Sequence, residues 1–108
     1  MFARVLDFEI KPDKKEEFVK LVKAEILPIL KKQIGFLEIL PFMPVDAKQN
    51  RWFTISLWTR RDDATRYEKE IYPRVHDLLK PLMVTPINVQ PYVLETRLCE
   101  HFVETMAA

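Results

Sequence analysis

Glu25-Ile26-Leu27-Pro28, echoed downstream by Glu70-Ile71-Tyr72-Pro73, decides how the chain is read. Each stretch sits late in an amphipathic helical pattern, and each pattern follows an alternating apolar segment. Two strand–helix–strand units in one small chain are therefore expected. A repeat of this kind defines an architecture and leaves the chemistry open.

Upstream of the first copy, Phe2, Leu6, Phe8 and Ile10 alternate with Ala3, Val5, Asp7 and Glu9, and Arg4 interrupts the apolar side. Period-two alternation in an aromatic and β-branched stretch predicts a strand. Asp13 followed by Glu16 predicts a capped start for the first helix, with Phe18, Val22, Ile26 and Ile29 on its buried face. Pro28 removes a backbone donor within that pattern and should kink it. Gly35, the single glycine, stands where a helix C-terminus needs positive φ. Phe36 to Phe42 reads as the second strand, Pro44 to Asn50 as a loop, and Trp52 to Trp58 as the third strand. Thr59 and Asp62 should cap a second helix whose stripe is Ala64, Tyr67, Ile71, Val75, Leu78 and Leu82. Ile87 to Leu98 forms the last strand, where Pro91 implies an edge or a bulge.

This order is the ferredoxin-like α+β sandwich: βαββαβ, a four-stranded antiparallel sheet with two helices on one face. The expected domain is 1–98, with 99–108 a tail in which Phe102, Val103 and Met106 could pack on a partner. Two helices cover only one face of four strands. Alternation would place Phe36, Leu40, Phe42, Trp52, Trp58 and Val5 on the open one. That is too much aromatic surface to leave wet, so a homodimer through the open sheet face is expected.

Seventeen basic and sixteen acidic residues give a formal charge of +1 without like-charge blocks, which argues against a nucleic-acid partner. No apolar run is long enough to span a bilayer, and nothing at the start reads as a signal peptide. One cysteine, Cys99, cannot form an internal disulfide, which fits a reducing cytoplasm. Cys99 and His101 do not complete a zinc site, and no glycine-rich phosphate loop or serine elbow exists; no metal is expected.

Three features together resemble a known family: Gln33-Ile34-Gly35-Phe36-Leu37, Ile55-Ser56-Leu57-Trp58 and Asp62-Asp63-Ala64. In order and spacing they are similar to the antibiotic biosynthesis monooxygenase-like domains of the dimeric α/β-barrel superfamily, over roughly residues 1 to 95. The resemblance implies two sheets packed face to face and a pocket for a small, often aromatic, molecule. Its members include cofactor-independent oxygenases, heme-degrading oxygenases and proteins of no known activity. The heme-degrading members use an Asn on the first strand, and a Trp and a His on the second helix. The nearest positions here are Asp7, Tyr67 and His76, so only the histidine type is kept.

His76 is the candidate base or axial ligand, because imidazole changes charge near neutral pH; the alternative is a surface or interface histidine. Asp7 and Glu38 offer carboxylates for acid–base work if they face the barrel, or else an ion pair with Arg4 or Arg51 at a wet rim. Trp58, Trp52, Phe36 and Tyr67 are the candidate aromatic wall, whether as ligand contacts or as packing. The favoured expectation is a pocket for a small apolar or aromatic molecule, with catalysis, if present, a cofactor-free monooxygenation. The second is a non-catalytic dimeric ligand-binding or interaction module, and the third a heme-binding protein.

Overall fold

A computed structural model describes residues 1–99; the expected tail lies outside them beyond Cys99. The elements are β1 (Phe2–Glu9), α1 (Lys15–Leu21), a π-helical turn (Val22–Ile26), α2 (Leu27–Lys31), β2 (Phe36–Phe42) and β3 (Arg51–Trp58). There follow α3 (Arg61–Glu70), α4 (Tyr72–Leu79), a 3₁₀ turn (Lys80–Leu82) and β4 (Asn88–Val93). The sheet runs β2-β3-β1-β4 with every neighbouring pair antiparallel, the ferredoxin-like arrangement. Pro91 pairs opposite Arg4 on the edge strand β4, where a missing backbone donor is tolerated.

The two prolines explain the helices. Pro28 cannot donate to Ala24, and its ring crowds that carbonyl, so the preceding turn widens. The Leu27 N–H accordingly bonds to the Val22 carbonyl, five residues back. Pro73 does the same to Lys69, and the chain breaks at Ile71 between α3 and α4. Four residues overshoot one α-helical turn by about 40°. A widened or broken turn absorbs that drift, so the inward stripes step by four: Phe18, Val22, Ile26, Leu30 and Tyr67, Ile71, Val75, Leu79. Leu30 and Leu79 are buried more fully than the expected Ile29, which is partly buried against the core, and Leu78, while Leu82 at the end of the second stripe is buried as expected. Glu25 is turned out to solvent.

The expected helix caps are also revised. Lys14 and Arg60 occupy the cap positions, without a side-chain cap hydrogen bond. Thr59 instead donates its backbone N–H to the Gly35 carbonyl at 2.8 Å, tying the end of β3 to the approach to β2. Gly35 has φ +82°, and a Cβ there would run into the Asp63 side chain. Asp63 is buried and accepts from Arg60 (3.5 Å) and Arg66 (3.4 Å).

The faces of the sheet need one correction. Phe36, Trp52 and Trp58 lie under the helices: Trp52 meets Phe18 edge-on at 5.4 Å, and Trp58 meets Tyr67 at 5.1 Å. A bulge explains part of this. Phe36 pairs with Trp58 but Glu38 pairs with Leu57, so Phe36 and Leu40 fall on opposite faces despite their even spacing. In β3 both faces are apolar, so alternation could not say which one is covered. The open face carries Val5, Leu40, Phe42, Phe53, Ile55 and Leu57, with Phe42 and Phe53 stacked at 4.7 Å and each 43% exposed.

Candidate functional site: a cavity between the sheet and the helices

A cavity of about 340 Å³ lies between the covered face of the sheet and the two helical segments. Its sheet side is Arg4, Leu6 and Phe8 from β1 with Trp52, Thr54 and Ser56 from β3, and Ile39 and Pro41 from β2. Its roof includes Phe18, Val22 and Ile26 on one side and Tyr67, Tyr72 and Val75 on the other. The widened turn, through Val22 and Ile26, and Tyr72, the residue after the break at Ile71, are therefore both in its roof.

One end is polar and the other is not. Arg4 pairs in register with Ser56 and Phe8 with Trp52. Four residues of strand separate these pairs by about 13 Å. At the Arg4 end the guanidinium lies 4.6 Å from the Tyr72 ring centre and 5.1 Å from that of Tyr67. Arg4 is 3% exposed, and the nearest carboxylate, on the half-exposed Glu68, is 3.9 Å from Nη2. That distance gives an ion pair beyond hydrogen-bond reach. At the far end Phe8, Phe18 and Trp52 form an aromatic cluster.

Among the described residues, four buried side-chain polar atoms have no hydrogen-bond partner in the protein: Arg4 Nε, Arg4 Nη2, Trp52 Nε1 and Tyr72 Oη. All three residues line this cavity. Buried polar groups are ordinarily paired, so this concentration marks the site. Burial holds the Tyr67 phenol up at about 12, with the charge of Arg4 pulling the other way. Tyr72 is raised as well, chiefly by burial. Both phenols are thus neutral donors at physiological pH.

The residues singled out from the sequence divide. Tyr67 and Trp52 line the cavity. Trp58, fully buried, backs Tyr67 and donates its indole N–H to Ser56 Oγ at 3.0 Å, and Phe36 packs on Trp58 at 5.4 Å. Asp7 lies on the open face, gripped by Arg51 at 3.0 and 3.2 Å. Glu38, exposed, pairs across from Leu57 on that same face. His76 borders a separate surface cavity of about 410 Å³ with Lys80, Met83 and Ile87, its ring 6.0 Å from that of Tyr72. Asp7, Tyr67 and His76 therefore do not converge on one centre. The cavity itself is lined by no carboxylate and no imidazole. Arg4 and Tyr72 were not singled out as site residues from the sequence; the signal available was a lone cation within the apolar alternation of β1. Among the described residues no three His, Cys, Asp or Glu side chains gather to hold a metal, and no helix is long and apolar enough to cross a membrane.

Solved structures share this fold. SnoaB, a cofactor-independent oxygenase from Streptomyces nogalater, is 22% identical with a TM-score of 0.69, covering 92% of this chain and 97% of its own. The monooxygenase ActVA-Orf6 of Streptomyces coelicolor, solved with nanaomycin D, is 14% identical with a TM-score of 0.69, covering 87% of each chain. A protein of unknown function from Nitrosomonas europaea reaches a TM-score of 0.70 at 14% identity, covering 87% of this chain and 88% of its own. A search of curated proteins finds no matching relative. The family model for antibiotic biosynthesis monooxygenases matches residues 1–72, which carry β1, the first helical layer, β2, β3 and all of α3. By that match and by its fold, the chain belongs to the antibiotic biosynthesis monooxygenase family.

Proposed function

We propose that the chain is a cofactor-independent monooxygenase acting on a small, flat, electron-rich molecule held between the sheet and the helices. The observation that carries this reading is the cavity of about 340 Å³, mostly apolar and aromatic with a polar end at Arg4, with unpaired donors from three residues pointing to a ligand. Its volume is at the small end of ligand sites, about 300–1,000 Å³, which suits two or three fused rings. In the reaction an activated C–H gives up its proton and the carbanion reduces O₂. A C–O bond forms, and loss of water from the hydroperoxide leaves a carbonyl; one oxygen atom of O₂ enters product and the other leaves as water. The lining holds no carboxylate or imidazole, and its titratable groups are Arg4, Lys23, Tyr67 and Tyr72, so the proton passes to a water molecule held with the substrate. The protein's share is orientation, exclusion of bulk water and donation of hydrogen bonds to the ionised substrate.

A homodimer through the open sheet face belongs to the same reading, supported by the exposed Leu40, Phe42 and Phe53. The lack of a carboxylate or imidazole in the lining favours a second reading, a dimeric module that binds its ligand without turning it over.

Anthrone separates the two readings, because its methylene is activated between two rings opposite a carbonyl. Oxygen uptake matched by anthraquinone formation, faster than in buffer and reduced in Trp52→Leu, is the expected result. Calorimetric binding with no rate above buffer would leave the binding module. Neither binding nor turnover would remove the ligand site altogether.

A further inference from the structure

We infer that Arg4 sets the substrate class: the cavity takes a planar apolar molecule bearing an oxyanion, with the charged oxygen against Nε and Nη2 of Arg4. The inference rests on the ligand site proposed above and adds to it the charge of the ligand and its direction of binding. Arg4 is 3% exposed on an otherwise apolar strand face, and no carboxylate lines the cavity around it. A buried charge is costly unless paired and hydrogen-bonded. The Tyr67 hydroxyl, the Tyr67 and Tyr72 rings and the more distant Glu68 offset part of that cost, yet two guanidinium atoms, Nε and Nη2, keep no acceptor. Water in a cavity this size satisfies hydrogen bonds but supplies no countercharge. A carboxylate, enolate or phenolate supplies both.

The polarity of the site gives the orientation. The oxyanion lies at the Arg4–Tyr72 end, where the Tyr72 hydroxyl is a further unpaired donor, and the ring system extends toward Phe8 and Phe18. Trp52 Nε1, by the apolar end, is placed for a second, neutral acceptor such as a carbonyl. The same arrangement explains a lining without a carboxylate or imidazole. A substrate that arrives ionised, or that ionises against Arg4, needs a cation to hold it and no carboxylate to repel it. Glu68 is the one nearby competitor, and its half-exposed side chain is free to turn to solvent when an anion enters.

The test compares 2-naphthoate with its neutral isostere 2-naphthamide by calorimetry at neutral pH. Charge-assisted hydrogen bonds predict that wild type prefers the carboxylate by about 10- to 100-fold. Arg4→Met should abolish the preference, because the carboxylate then meets no guanidinium and loses its charge-assisted hydrogen bonds. Glu68→Gln, on the surface, should tighten naphthoate binding several-fold and leave the amide unchanged, which tests the inference even if Arg4→Met fails to fold. Equal affinities for the two probes in wild type would overturn the role of Arg4 and leave the apolar site standing. No binding of either would overturn both.

Discussion

Tyr67 provides a direct measure of how dry the cavity wall is. Its ring is 3% exposed, packed against Trp58 at 5.1 Å and Tyr72 at 6.1 Å. Burial raises its phenol from the usual 10.0 to about 12, against the opposing charge of Arg4. The folded protein therefore holds this proton more tightly than the unfolded chain does. The corresponding stability is fully present below pH 10, where both states are protonated. It declines as the pH rises from 10 toward 12, because only the unfolded state releases the proton readily. At ~1.4 kcal/mol per tenfold in proton affinity, the difference amounts to about 3 kcal/mol. Urea unfolding of wild type and Tyr67→Phe at intervals between pH 8.5 and 12 isolates it, since lysines and the other tyrosines titrate in both. The stability gap between the two proteins should be constant to about pH 10 and then shift by about 2 kcal/mol in favour of the variant by pH 12. A gap that stays flat to pH 12 would refute the argument and show that water reaches the phenol. Removing the cation with Arg4→Met should push the wild-type titration, followed by phenolate absorbance, higher still.

Gly35→Ala should cost about 2–4 kcal/mol in chemical denaturation: about 1–2 from the left-handed backbone and the rest from displacing buried Asp63. A loss under 0.5 kcal/mol would mean that the turn relaxes freely. Phe53→Asp places a charge on the open face, outside the core cluster; sedimentation should show the proposed dimer of the wild type lost while the far-ultraviolet spectrum is retained, and a dimer unchanged by the substitution would move the interface elsewhere. Asp7→Asn breaks a largely exposed pair with Arg51, so stability should change by less than about 1 kcal/mol. Naphthoate affinity should be unaffected by that change, and a large loss of it would return Asp7 to the site.

Much of the fold was legible because its signals are local. Alternation in β1, the single glycine before Phe36, and Pro91 on an edge strand each reflect a backbone rule that neighbouring residues enforce. The site was less legible. Trp52 and Tyr67 were recognisable as aromatic wall, but Arg4 read as a flaw in an apolar strand and Tyr72 as part of a proline repeat. Their roles depend on β1, β3, α3 and α4 meeting, with Arg4 brought between two rings that are distant from it in the chain. Asp7 and His76 have the right chemical type for acid–base work, yet strand phase sends one to the open face and helix phase turns the other toward a different cavity.

Taken alone, the amino-acid order determined the element types, their order, and hence the ferredoxin-like topology, because strand and helix periods and turn residues act over a few positions. Tertiary structure decided which side of each strand is covered. One bulged residue between Phe36 and Glu38 reverses a face, and β3 is apolar on both sides, so only packing against the helices selects one. It also decided that the proline-disturbed turns form the roof of a cavity, and that a buried guanidinium stands in it with its nearest carboxylate, on Glu68, beyond hydrogen-bond reach, since burial is a property of the assembled layers and of no single segment.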